Sequence, residues 1–171
     1  MGRNSLKYWL YAGPLFALLI LTIIVVSLKN AGYGLVHQVT ASMPIGWYWA
    51  SPCTLPLTHG ERVLFSPPQP LKDYLVQHHW LGQDMSMMKQ VYGVPGDFIC
   101  RHANWLFING EKTAYIQQEY APGQLLPQWQ VCKIIPKNHY LLLALRVPNS
   151  FDGRYFGLIE QQQIFAKVKQ L

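Results

Sequence analysis

Two side chains of this chain, Ser42 and Lys89, have the types and settings from which acyl-transfer chemistry is built. A serine hydroxyl cleaves a peptide bond only when a base takes its proton and donors hold the oxyanion. A lysine can be that base only if its amine is neutral near physiological pH. Burial against apolar groups supplies this by penalising the ammonium. Lys89 lies in Met85-Ser86-Met87-Met88-Lys89-Gln90-Val91-Tyr92, the most apolar setting of any lysine beyond the N-terminal segment. Ser42 lies in Thr40-Ala41-Ser42-Met43-Pro44-Ile45-Gly46. Pro44 forces Met43 out of the helical region and Gly46 permits a tight turn, so the segment is expected to be extended, presenting its hydroxyl from an exposed edge. Each residue also has a plainer reading. A lysine in such a run commonly sits at a strand edge with its amine in water, and a serine before a proline-containing turn is commonly only a turn residue.

The elements that must bring these two together read as β-structure. Short apolar runs are bounded by turn residues: Arg62 to Phe65 before Ser66-Pro67-Pro68, and Phe98 to Cys100 after Pro95-Gly96-Asp97. Trp105 to Ile108 leads into Asn109-Gly110, a strong hairpin signal because both residues tolerate positive φ. Tyr140 to Leu145 reads as a fully buried strand and Ile164 to Val168 as a final one. A helix is expected only around Pro70 to His79, where Leu71, Tyr74 and Leu75 recur at helical spacing. The fold class is therefore mainly β.

A chain of 171 residues fits one such domain with a short appendage. From Tyr8 to Leu28 no residue is charged. At about 1.5 Å per residue a helix of this length reaches roughly 31 Å, the thickness of a bilayer's hydrocarbon core. Pro14 lies in its first third, where a kink is tolerated. A buried core helix would show a polar face, and a cleavable leader would have a shorter apolar region followed by small residues. The expectation is a single anchor over residues 1–29 and one domain over 30–171. Arg3, Lys7 and the terminal amine flank the anchor on one side, Lys29 alone on the other, which places the N-terminus in the cytoplasm and the domain in the periplasm. The net charge of +6 comes from scattered basic residues, which argues for a surface facing inner-membrane lipid and against nucleic-acid binding. Trp47-Tyr48-Trp49 follows Ser42 closely and reads equally as a membrane-resting edge or as β-core aromatics.

Cys53, Cys100 and Cys132 lack metal-ligand spacing, and no HxxxH occurs, so neither metal nor cofactor is expected. In an oxidising compartment a Cys100–Cys132 bridge would close the loop around the hairpin and contribute about 3 kcal/mol; three buried thiols are the alternative.

Taken together, Ser42-Met43-Pro44, Lys89 with Gly93-Val94-Pro95-Gly96-Asp97, and Asn149-Ser150-Phe151-Asp152-Gly153-Arg154-Tyr155-Phe156-Gly157 resemble the successive boxes of the S26 signal peptidases, in the family's order. The resemblance spans roughly Val39 to Ile159. Ser-x-Pro-x-Gly-x-Tyr, here Ser42 to Tyr48, is more similar to the conjugative-transfer branch called TraF than to the general leader peptidases. Leu126-Pro127-Gln128-Trp129 before Cys132 points the same way. The resemblance implies a signal-peptidase-like β domain in which Ser42 attacks the scissile carbonyl and Lys89 takes its proton. It implies that Thr40 offers a hydroxyl to the oxyanion and that Ser150 orients the lysine amine. Asp152 and Arg154 fit a structural ion pair near the site. One departure stands out: general leader peptidases carry a Gly-Asp-Asn-type stretch before the last box, whereas this chain has Ala144-Leu145-Arg146-Val147-Pro148.

The implied substrate is the precursor of a conjugative pilin or of another exported protein, with small residues before the cut. Acyl transfer to water or to the substrate's own amine, giving a cyclic product, both remain open. A general type I signal peptidase and a non-catalytic anchored assembly factor of a transfer apparatus are the competing readings.

Overall fold

The computed structural model describes residues 3–83 and 85–171, with side chains from residue 13 onward. The chain divides into two units, Met1–Gly34 and Leu35–Leu171. In the first, helix α1 runs from Arg3 to Asn30 and carries Pro14 inside it. From Gly13 to Asn30 it is long and apolar enough to cross a membrane. Its large side chains are exposed on every face, Leu15, Ile23 and Val26 among them, the pattern of a helix whose solvent is not water. Gly32, at φ 84°, ends it. Tyr33 N–H donates to the Leu28 carbonyl and Gly32 N–H to that of Lys29, both at 3.0 Å, which is the Schellman pattern. Those capping bonds keep residues 31–33 with the helix. Arg3 and Lys7, the flanking charges of the orientation argument, have side chains outside the described set.

The second unit is built on strands: β1 (Gly34–Gln38), β2 (Gly46–Pro52), β3 (Arg62–Phe65), β4 (Met87–Gly93), β5 (Phe98–His102), β6 (Trp105–Ile108) and β7 (Glu111–Tyr115). The short β8 (Glu119–Ala121), β9 (Gln124–Leu125) and β10 (Cys132–Ile134) follow, then β11 (His139–Leu143), β12 (Leu158–Glu160) and β13 (Ile164–Gln170). Helix α2 (Gln69–Gln77) joins β3 to β4, with proline at its start as the fixed φ of that residue favours, and α3 (Gly153–Phe156) precedes β12.

Seven strands form the main sheet in the order β1-β2-β13-β3-β4-β11-β12. The last strand thus inserts between β2 and β3, with Val168 opposite Ala50 and Lys167 opposite Val63. Period-two alternation on β11 sends Leu141 and Leu143 into one core with Ile99, Leu106 and Tyr155. Tyr140 and Leu142 enter another core on the opposite face, with Val63, Phe65 and Val91. Both faces of this sheet are therefore covered, which explains why β11 reads as an unbroken apolar run. A second sheet, β10-β5-β6-β7, carries the hairpin whose turn residues Asn109 and Gly110 have φ 52° and 84°. Cys132 lies opposite Cys100 in the β5–β10 register, and the two are joined as a disulfide; Cys53 is free.

One local expectation differs from what is observed. The segment around Ser42 is not extended: Ala41 and Ser42 form a turn between β1 and β2, with bends at Thr40 and Met43. Of the two settings weighed for Lys89, the strand edge is not the one observed, because β4 lies inside the sheet between β3 and β11.

Candidate active site

Lys89 stands opposite Val63 on β4 with only 3% of its surface exposed. This burial pushes its amine down from 10.5 to about 8; the Asp152 carboxylate pulls the value back up, and the Arg154 guanidinium adds to the fall. A buried amine needs a hydrogen-bond partner. Ser150 supplies it: Lys89 Nζ donates to Ser150 Oγ at 2.9 Å.

Ser150 is held in turn by its own loop. Its N–H donates to the Val147 carbonyl at 3.0 Å, and its carbonyl accepts from Arg154 Nη2 at 2.9 Å. Arg154 Nη1 reaches the carbonyls of Pro148 and Tyr115 at 2.8 and 3.0 Å. The guanidinium is paired with Asp152, Nε to Oδ1 at 2.9 Å, with both side chains buried. Asp152 Oδ2 also accepts the Ala144 N–H at 2.9 Å. Next in the chain, Gly153 passes so close to β11 that a Cβ there would lie 2.8 Å from the Leu142 carbonyl oxygen. Asp152 and Arg154 thus brace the loop from behind.

Ser42 is positioned from the other side of the cleft. Met43, 2% exposed, pins the turn into the core beside Tyr48, whose hydroxyl donates to the Pro44 carbonyl at 2.8 Å. The Thr40 and Ser42 hydroxyl oxygens are 3.2 Å apart. Thr40, Ser42, Lys89 and Ser150 all line one cleft of about 460 Å³. Trp80, Tyr120 and Phe151 form an aromatic wall of the same cleft, with Trp80 centroids 4.6 Å from Tyr120 and 5.1 Å from Phe151. The motif reading missed this wall and also Gln38, whose amide touches Thr40.

The Gly93-to-Asp97 box does not line this cleft. Asp97 accepts from Val94 N–H, Asn109 Nδ2 and His59 Nε2 at 2.7–2.8 Å, tying the β4–β5 turn to the hairpin. Burial opposes its ionisation, but these hydrogen bonds outweigh that and hold the carboxyl below its usual range.

The model of the family described as signal peptidase, peptidase S26, matches residues 6–171. The chain belongs to this S26 signal peptidase family. It is 33% identical over 155 residues to the plasmid transfer protein TraF of Escherichia coli, a match covering 83% of this chain and 85% of that one. It is 35% identical over 95 residues to signal peptidase IB of Staphylococcus aureus, covering 47% and 50% of the two chains. A crystal structure of a signal peptidase I from Enterococcus faecalis aligns over 66% of this chain and 96% of that one, at 20% identity and a TM-score of 0.38. Within this S26 chain, Ala144-Leu145-Arg146-Val147-Pro148 replaces the Gly-Asp-Asn-type stretch of the general leader peptidases. Its backbone is held by the Asp152 carboxylate at Ala144 and the Arg154 guanidinium at Pro148.

Proposed function

We propose that this S26 peptidase is a membrane-anchored serine endopeptidase, Ser42 the nucleophile and Lys89 the general base, that trims the precursor of a conjugative pilin or another exported protein. The observation that carries it is the buried Lys89 amine, pushed down to about 8 and bonded to Ser150 in the cleft that also presents Ser42. The neutral amine takes the Ser42 proton as Oγ adds to the scissile carbonyl. The tetrahedral oxyanion is met by the Ser42 N–H and the Thr40 hydroxyl. Collapse expels the leaving amine, which takes the proton from Lys89 and leaves an acyl-enzyme. A water or the substrate's own amine then adds, giving its proton to Lys89, and Ser42 is reprotonated as it departs. Similarity to TraF over most of the chain favours a conjugative pilin as substrate. By charge distribution the N-terminus lies in the cytoplasm and the domain on the periplasmic face of the inner membrane. A general type I signal peptidase is the second reading, favoured by similarity to signal peptidase IB over part of the chain.

The test is co-expression with the pilin precursor encoded nearest its gene, reading the product's intact mass for wild type, Ser42→Ala and Lys89→Ala. Loss of cleavage in both variants supports the dyad, and a wild-type product one water lighter than the trimmed linear chain indicates cyclisation. Cleavage by both variants would leave the chain at most an assembly factor.

A further inference from the structure

Gln38, the last residue of β1, is a polar side chain with 9% of its surface exposed. Its Nε2 lies 2.8 Å from the Thr40 carbonyl oxygen and 2.6 Å from Thr40 Oγ1. A carbonyl oxygen only accepts, so the amide nitrogen, not the amide oxygen, must face Thr40. The two amide hydrogens then serve the two Thr40 oxygens. Thr40 Oγ1 accepts, and a hydroxyl that accepts one hydrogen bond is a better donor in the next. Its neighbour is Ser42 Oγ at 3.2 Å.

We infer that Gln38 is a positioning residue that fixes the direction of the Thr40 hydroxyl and, through it, of the Ser42 hydroxyl. The donors run one way, from the Gln38 amide to Thr40 and from Thr40 to Ser42. Ser42 is thereby left with its own hydrogen free for a base. As Oγ adds to a carbonyl, the Thr40 hydrogen is already directed into the cleft and needs only to swing from Ser42 to the oxyanion. Preorganisation of this kind, with little reorientation left for the moment of reaction, makes an oxyanion donor effective. The inference rests on the reading of Ser42 as nucleophile and Thr40 as donor.

Two substitutions separate direction from packing. Gln38→Glu keeps the shape, but a carboxylate can only accept and takes the Thr40 hydrogen for itself. Gln38→Met keeps the apolar contacts and removes both bonds. Steady-state cleavage of the same pilin precursor by the full chain in detergent, with melting temperatures alongside, would be measured in the wild-type and Thr40→Val backgrounds. Loss of an oxyanion donor typically costs about 10²–10³ in kcat, so Thr40→Val and Gln38→Glu should each lower kcat about a hundredfold and Gln38→Met about tenfold. KM should stay unchanged throughout. In the Thr40→Val background neither Gln38 variant should lower kcat further. Equal losses in both backgrounds, or a rise in KM at unchanged kcat, would make Gln38 a scaffold of the turn and overturn the inference alone. Full cleavage by Ser42→Ala would overturn the underlying reading, and the inference with it.

Discussion

The Lys89 amine donates to the Ser150 hydroxyl at 2.9 Å, linking the middle of β4 to a loop 61 residues further along the chain. This contact spends one hydrogen of the amine and sets the direction in which its lone pair points. Ser150→Ala removes the contact without adding bulk. A positioned general base contributes about 10²–10⁴ in rate, and losing part of its orientation should lower kcat at least tenfold. KM should hold, since no substrate contact is lost. Initial rates across substrate concentration check this; a raised KM at constant kcat would instead assign Ser150 to substrate binding.

Lys89 makes activity and stability respond to pH over the same window. Activity should rise with pH along a limb near 8, where the amine loses its proton. Below about pH 8 folded and unfolded chains both hold that proton, so the cost of the buried ammonium is fully present. Between about 8 and 10.5 the folded chain has released a proton that the unfolded chain keeps, so stability rises with pH. Lys89→Met should therefore be inactive yet more stable at pH 7, by about 2 kcal/mol once the lost Ser150 bond is offset. The gap should shrink as pH approaches 10.5. Denaturation curves at pH 7 and pH 10 decide it, and a constant gap would mean that Lys89 is not the group responsible.

Asp152 has two separable effects. It is fully buried and bonded to Arg154 and to the Ala144 N–H, so Asp152→Asn strands a buried guanidinium and should cost about 3–5 kcal/mol. Asp152 is also the charge that raises the Lys89 value, so the activity limb of the surviving folded enzyme should move to lower pH. A pH–rate profile below the variant's melting temperature reads the second effect apart from the first. A limb that stays in place would show that the carboxylate acts only as a brace.

Strands with a clear local signature were legible in the sequence: the Asn109-Gly110 hairpin from its two positive-φ residues, and β11 from its apolar run. The order of strands was not. Nothing local in Ile164 to Gln170 says that this strand enters between β2 and β3, because that pairing depends on contacts more than a hundred residues away. The Ser42 turn was misjudged for a related reason. Pro44 restricts only Met43, while the turn itself is held by Met43 packing into the core and by Tyr48 bonding the Pro44 carbonyl. Lys89 stood out by its apolar neighbours. Its depressed pKa comes from burial between β3 and β11, against the opposing pull of the Asp152 carboxylate, and no single-sequence pattern carries that.

The aromatic segment after the Ser42 turn splits along the pleat. Tyr48 is wholly buried, while Trp47 is 54% exposed and stacks on His37 with ring centroids 4.7 Å apart. Leu35, Val39, Ile45 and Trp49 are exposed as well. So many large apolar groups on one stretch of surface are unusual in a domain bathed only in water, and indole rings favour the head-group layer. Withdrawing even half of a tryptophan from water is worth roughly 1–2 kcal/mol, so Trp47→Ser with Trp49→Ser should weaken liposome binding by residues 35–171 at least about tenfold. Co-sedimentation with vesicles of anionic and of neutral lipid measures it, with circular dichroism to check that β2 still forms. The loss should appear on both lipids, because the contact removed is apolar. Weakening on anionic vesicles alone would put basic side chains, not the tryptophans, in contact with the surface, and unchanged binding on both would leave this edge facing solvent.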